Sequence, residues 1–417
     1  MSGHGKRVLV LGGGIAGLYA AKVLAGHGTA VDLVEKSGFL GGHGLQYGCK
    51  AGAACEKCGA CTVEQILADV AAEPRITVHL RAELAGVEGN GRFSATIRQR
   101  PRLLHDDADL AACYKKTGGQ RLVVRGWSPN NRPFYAVNPG KLSEEGGAEK
   151  VLGLVEQACP GAAAVDGEEA EKTLPADAII VATGFAPFDA CKKPTYGYGK
   201  IPNVVTGLEV ERGLRAEGRV LRPSDGEPPK KAAFIQCVGS RDIALGNPWC
   251  SRVCCAYALR IAQAARYKDP ELSVTVFYMD IQSTGKSFPA FYEQCKKDLR
   301  FVRNIPVDAF PEQGGRVRVA WSHPKTGARV EEAFDLLVLS IGITPNPDNA
   351  GLSRALFIPL DADGFFAAGD GELERAATIR PGVFVAGTAA GPKSIPASMA
   401  HAAAAAAEAL EYLKEAS

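Results

Sequence analysis

The sequence predicts an α/β protein built from two doubly wound, dinucleotide-binding (Rossmann-like) domains, and three observations carry that prediction. The apolar run Val8-Leu9-Val10-Leu11 passes straight into Gly12-Gly13-Gly14-Ile15-Ala16-Gly17, a GxGxxG turn that opens a helical stretch. A second apolar strand, residues 30–34, ends at Glu35, where an acidic side chain can accept from ribose hydroxyls. Further along, residues 229–242, 272–278 and 334–342 supply the strands of a second sheet.

Each element has a physical reason. Residues 8–11 are short, apolar and bounded by glycine, as a strand buried on both faces should be. The glycines allow a tight turn and close approach of backbone to a pyrophosphate, and the helix that follows offers N–H donors and a positive dipole end. Lys36 and the paired Gly41-Gly42 follow the acidic residue, and Ala178-Ile179-Ile180-Val181 is a strand ending in Ala182-Thr183-Gly184. Another strand runs from Pro381 into Gly387, ahead of an alanine-rich helix over 397–413, a strong helix former that should pack closely on the first sheet. Proline-rich residues 222–229 read as a turn or linker, and Lys296-Lys297 as a solvated helix face.

Composition narrows the function. A net charge of +2 over 417 residues gives no field that would select nucleic acid or anionic lipid. With 46% hydrophobic and 23% charged residues the chain can bury a core, yet no uninterrupted apolar run approaches the ~18 residues of a membrane span. Residues 1–7 lead directly into the first strand with no small-residue cleavage site, which reads as a cytoplasmic protein. In a reducing compartment, 12 cysteines are expected to be ligands or redox groups and not a disulfide framework.

The ordered glycine turns resemble the two-dinucleotide-domain flavoproteins, the FAD-dependent pyridine nucleotide-disulfide reductase type. The resemblance implies that Gly12, Gly14, Ile15, Ala16, Gly17, Glu35, Lys36, Gly41, Gly42, Ala182, Thr183, Gly184, Gly387 and Pro396 hold FAD, with Glu35 on the adenosine ribose. In the second domain, the turn that would bind NAD(P)H reads Gln236-Cys237-Val238-Gly239, without the phosphate-binding glycines, so NAD(P)H binding is not expected. Instead Cys237 is followed by Cys250, Cys254 and Cys255. If residues from 250 onward are helical, Cys250 and Cys254 share a face. Four thiolates there would suit a tetrahedral zinc or an iron–sulfur cluster, though zinc sites usually pair cysteines as CxxC. Arg241, Arg252 and Arg260 could offset the charge.

The strings Ile235-Gln236-Cys237-Val238-Gly239-Ser240-Arg241-Asp242 and Cys250-Ser251-Arg252-Val253-Cys254-Cys255, with Gly391-Pro392-Lys393-Ser394-Ile395-Pro396, resemble the family of the A-type flavoprotein subunit of heterodisulfide reductase. This similarity is to the short form found in flavoprotein subunits of quinone-interacting oxidoreductase complexes. It implies one FAD, one 4Fe–4S cluster on Cys237, Cys250, Cys254 and Cys255, and iron–sulfur partner subunits, with any membrane attachment made indirectly through a partner. Relatives tend to carry Lys where this chain has Arg260; Arg260 and Lys393 are the candidate catalytic side chains near the flavin. A guanidinium keeps its charge where a buried Lys can lose it, so electron bifurcation is not expected to follow automatically.

Cys49, Cys55, Cys58 and Cys61 leave three readings open: a second cluster, a redox dithiol at Cys55/Cys58 or Cys58/Cys61, or structural zinc and inert thiols. His43 reads as a loop or flavin contact, and Cys113, Cys159, Cys191 and Cys295 as isolated. The expected organisation is an FAD domain in three pieces (1–104, 171–215 and 373–417). A polar insertion over 105–170 is a remnant of a ferredoxin-like insert or a partner contact, and a cluster-bearing second domain covers 216–372. The expected function is a flavin and iron–sulfur electron-transfer subunit of a heterodisulfide reductase-like complex. The alternatives are a self-contained NAD(P)H-dependent disulfide reductase using Cys55/Cys58, and a scaffold that keeps flavin only for folding.

Overall fold

The computed structural model describes residues 5–52, 54–104, 108–117, 122–127, 133–282, 285–368 and 376–415. Residues 1–4, part of the reading of the N-terminus, and 105–107, the start of the expected insertion, lie outside the described residues.

The first half of the chain supplies β1 (Arg7–Leu11), α1 (Ile15–Gly26), β2 (Ala30–Glu35), α2 (Ala60–Ala72), β3 (Ile76–Leu80) and β4 (Ala178–Val181). Then come β5 (Val204–Thr206), α3 (Gly207–Glu217), β6 (Lys231–Val238), α4 (Cys254–Lys268), β7 (Ser273–Phe277), β8 (Arg300–Val302) and β9 (Leu336–Ile341). The chain ends with β10 (Val383–Val385) and α5 (Ile395–Glu415). These strands form two five-stranded parallel sheets, ordered β10-β4-β1-β2-β3 and β5-β9-β6-β7-β8. The expected fold class is the observed one.

Parallel strands are covered on both faces, which is why β1, β4 and β9 are nearly continuous apolar runs and almost wholly buried. On the first sheet, α1 and α5 pack together through small side chains: Ala20, Ala21, Ala402, Ala405, Ala406 and Ala409 are all inaccessible. Close approach is obligatory at two glycines. A Cβ on Gly17 would stand 1.8 Å from the oxygen of Gly12, and one on Gly387, whose φ is +65°, would stand 2.5 Å from Ala16 Cβ. Both helices run longer than the sequence patterns mark them, because packing on the sheet sustains the frayed turns.

The described residues between 102 and 166 form a lobe with its own small core, including Leu103, Val123, Val151 and Val155. That core includes Cys113 and Cys159, which are joined as a disulfide across 46 residues with Cα atoms 5.5 Å apart. The expectation that these two cysteines are isolated is therefore corrected. The reason is that the helices Leu110–Lys116 and Ala148–Ala158 face each other inside the lobe, a contact that no local pattern reveals.

Candidate functional site

A cavity of about 1550 Å³ opens over the C-terminal ends of β1 and β4 and reaches the second sheet. It exceeds the ~300–1,000 Å³ of an ordinary small-molecule pocket, as an extended dinucleotide requires. Gly12, Gly14, Ile15, Ala16, Glu35, Lys36, Gly42, Ala182, Thr183, Gly184, Lys393, Pro396 and Arg260 all line it. Gly17, Gly41 and Gly387 stand behind the wall, where side chains would strike Gly12, Leu45 and Ala16. Glu35 closes one end: its carboxylate accepts from the N–H of Gly13 at 2.6 Å and of Ser37 at 2.7 Å.

Two buried polar atoms lack partners, His43 Nδ1 and Thr183 Oγ1, and both residues line the cavity. Burial, and then the charge of Arg212, pull the His43 pKa down to about 4, so the ring is neutral at pH 7. Its Nε2–H donates to the oxygen of Phe185 at 3.2 Å, which leaves Nδ1 as an acceptor awaiting a donor. Orphaned polar groups of this kind are costly unless a ligand satisfies them.

The lining also holds a buried ion pair that inspection of the sequence misses. Lys50 Nζ lies 2.8 Å from Glu211 Oε1, and both side chains are no more than 5% exposed. Glu211 also accepts from the N–H of Gly48. Burial raises the Glu211 pKa, although Lys50 and Gly48 oppose it. Lys50 lies in the loop ahead of α2 and Glu211 on α3, and nothing in either local pattern connects them.

In the second sheet, β6 ends in an irregular register between Ile235 and Val238, and Cys237 there has φ +60°. The chain does not enter a helix at this point, and residues 250–253 are not helical: α4 begins at Cys254. The shared helical face expected for Cys250 and Cys254 is thus corrected, Cys250 lying in the loop that leads to α4. Cys237, Cys254 and Cys255 nevertheless pack together, buried, at the N-terminus of that helix. Cys254 hydrogen-bonds to both of the others, which raises its own pKa well above the usual thiol value. The Cys254 contact, assisted by Arg241, holds Cys237 down to about 7, and the same contact lowers Cys255. Cys250, half-buried, is pushed up mainly by burial and further by Cys237 and Cys255. Among the described residues no set of three or more His, Cys, Asp or Glu converges on a point where a single metal ion could sit. A four-iron cluster makes a different demand, since each cysteine binds its own iron, and a set of four thiols at a helix N-terminus matches that donor chemistry.

Gly239, in the turn where a nicotinamide cofactor's phosphates would approach, has its open side filled: a Cβ there would stand 2.0 Å from the Phe188 ring.

Cys49, Cys55 and Cys58 lie on a loop ahead of α2, and Cys61 lies in its first turn. Cys58 is half-buried and lines the cavity, whereas Cys49, Cys55 and Cys61 are exposed. One local conformation recurs in both cysteine regions. The N–H of Lys57, φ +50°, donates to Cys55 Sγ at 3.4 Å, and the N–H of Arg252, φ +60°, donates to Cys250 Sγ at 3.3 Å.

The pyridine nucleotide-disulphide oxidoreductase family model matches residues 6–409. The chain belongs to that family. It is accordingly an oxidoreductase by descent. It is 35% identical to an A-type iron–sulfur subunit of CoB–CoM heterodisulfide reductase from Methanopyrus kandleri, over 98% of this chain and 64% of the relative. It is 36% identical to the corresponding protein of Methanocaldococcus jannaschii, over 95% of this chain and 63% of the relative. With the A-type component of the ferredoxin/F(420)H(2)-dependent CoB–CoM heterodisulfide reductase of Methanosarcina acetivorans the figures are 35%, 98% and 53%. The chain therefore spans between about half and two thirds of the length of these relatives. Its fold matches thioredoxin reductase of T. acidophilum with a TM-score of 0.54 at 13% identity, covering 99% of this chain and 100% of that one.

Proposed function

We propose that this protein is an FAD- and iron–sulfur-containing electron-transfer subunit of a heterodisulfide reductase-like complex. The observation that carries the reading is the placement of Cys237, Cys254 and Cys255 at the turn where a nicotinamide cofactor's phosphates would approach, with Gly239 already packed under Phe188. Bound in the cavity, FAD supplies the exchange between two-electron and one-electron chemistry.

The chain's own residues do the rest. Glu35 accepts from the ribose while Gly12 and Gly14 let the pyrophosphate approach the N-terminus of α1. His43 Nδ1 and Thr183 Oγ1 supply an acceptor and a hydroxyl to the ring end. Lys393 and Arg260, also in the wall, are placed to carry charge near it. Cys237, Cys250, Cys254 and Cys255 hold one 4Fe–4S cluster in the second domain, residues 216–372, and the N–H of Arg252 steadies the Cys250 thiolate. Cys49, Cys55, Cys58 and Cys61 hold a second cluster, the N–H of Lys57 serving Cys55 in the same way. Electrons then pass to or from iron–sulfur partner subunits and not NAD(P)H. Among the described residues no helix is long and apolar enough to cross a membrane; the reading places the protein in the cytoplasm, reaching a membrane only through a partner.

One observation favours a second reading. Cys58 lines the cavity, so a Cys55/Cys58 dithiol could exchange electrons with the flavin, as in a self-contained NAD(P)H-dependent disulfide reductase.

Anaerobic purification with iron, sulfide and flavin analysis tests the proposal. The expected result is about one FAD with at least about four iron atoms per chain, and loss of about four irons with FAD retained in Cys254→Ala. Full iron retention in that variant rejects the ligand set. Rapid flavin reduction by NADH or NADPH, with two titratable thiols and no sulfide, selects the second reading.

A further inference from the structure

The lobe that carries the Cys113–Cys159 cystine is part of the cavity wall: its residues Val124, Asn138 and Glu144 all line it. The lobe reaches that place by resting on the first sheet's loops. A Cβ on Gly38 would stand 2.8 Å from Ala136 Cβ, and the lobe strand Val123–Trp127 lies against the short 3₁₀ helix His43–Gln46. Lys36 and Ser37, just ahead of Gly38, line the cavity together with His43, Gly44 and Gln46.

This wall is a weakly built unit. Its chain enters and leaves through one antiparallel pair, Arg102–Leu104 with Ala163–Asp166. A unit of roughly 60 residues buries too little apolar surface to be more than marginally stable by itself. Cys113 and Cys159 belong to its small core, 2% and 7% exposed, and their bond ties helix Leu110–Lys116 to the end of helix Ala148–Ala158. A cross-link over 46 residues acts chiefly by restricting the unfolded lobe, so breaking it shifts the lobe, and no other part of the fold, toward opening. In the cytoplasmic placement proposed above thiols are kept reduced, and a cystine there is as a rule a transient or sensing one. Cys159 is the half open to attack: it closes its helix and is followed by the exposed Pro160 and Gly161, whereas Cys113 is the deeper of the two.

We propose that Cys113–Cys159 is a redox-responsive site: the cystine keeps the lobe closed on the cavity, and its reduction by a protein dithiol loosens that wall and lets the bound cofactor exchange. One thiolate of the dithiol attacks Cys159 Sγ and breaks the S–S bond, and Cys113 leaves as a thiolate that takes a proton. The second thiol of the reductant then displaces Cys159. The cystine thereby gains two electrons and two protons, and the reductant becomes a disulfide. The inference rests on the FAD reading above for what is exchanged, and on the lobe contacts for the opening itself.

The full chain, purified with its flavin, is treated with oxidised glutathione to close the bond and then reduced anaerobically with dithiothreitol, mass mapping following the two thiols. Reduction is expected to speed both flavin release, read from flavin fluorescence, and amide exchange over 36–47 by at least about tenfold, with β1 and β4 unchanged. A double variant, Cys113→Ala with Cys159→Ala, is expected to match the reduced wild type with or without dithiothreitol. The inference is overturned if both rates stay unchanged once the two thiols are free, if the double variant still responds to dithiothreitol, or if oxidised glutathione leaves the two thiols unjoined. Should the double variant not fold, wild type before and after reduction decides alone. A chain that holds no FAD removes the cofactor reading, and the exchange rate over 36–47 then decides this inference by itself.

Discussion

Arg260 on α4 donates from Nε to the main-chain oxygen of Glu56, 3.2 Å away and 204 residues earlier. The contact joins the helix that begins with Cys254 and Cys255 to the loop that carries Cys55 and Cys58 and leads into α2. Two cysteine-bearing segments far apart in sequence are thereby tied together through one hydrogen bond.

Arg260→Met should free the early-cysteine loop without disturbing the first sheet. We expect amide hydrogen exchange over 54–61 to accelerate by roughly tenfold, equivalent to ~1.4 kcal/mol, the scale of a single hydrogen bond. Exchange in β1 and β4 should be unchanged, and an unaltered loop would remove Arg260 from this role.

Gly12 and Gly387 should tolerate no side chain. Gly387→Ala places a methyl 2.5 Å from Ala16 Cβ at a left-handed φ, and Gly12→Ala places one 2.4 Å from the oxygen of Ala182. Each should lower stability by about 1–3 kcal/mol and reduce flavin content several-fold, read from the melting curve and the absorbance ratio. Gly14→Ala, with open space around its Cα, should fold normally.

The cystine should matter to the lobe alone. Cys113→Ser opens a 46-residue cross-link and is expected to cost the 102–166 lobe about 2–4 kcal/mol. Limited proteolysis should then cut within the lobe while leaving both parallel sheets intact. Cleavage spread evenly through the chain would show that the lobe does not unfold independently.

His43 predicts a pH dependence. Its folded pKa of about 4 lies below the ordinary value of 6.5, so between these limits the unfolded chain binds the extra proton. Stability should rise with pH through this window, and acidification from 6.5 towards 4 should cost up to about 1.4 kcal/mol per pH unit from this group. Denaturant titrations of His43→Gln at pH 5 and pH 7 should show a smaller difference than wild type.

Local chemistry determined much of this protein before any contact was known. The run from Val8 into the GxGxxG turn, the strand ending at Glu35, and the Ala-Thr-Gly and Gly387 turns are each readable because a buried parallel strand and a phosphate-approaching turn impose composition within a few residues. The cysteine spacing from 237 to 255 marked a cysteine-rich turn ahead of a helix, although the helical register assumed for Cys250 failed because α4 starts four residues later. Tertiary structure alone decided the rest. It paired Cys113 with Cys159, seated Phe188 against Gly239, tied Arg260 to Glu56 and buried Lys50 with Glu211. Each of these joins residues between 46 and 204 positions apart. Such contacts depend on how whole elements pack, and packing leaves no mark in the local periodicity of either partner.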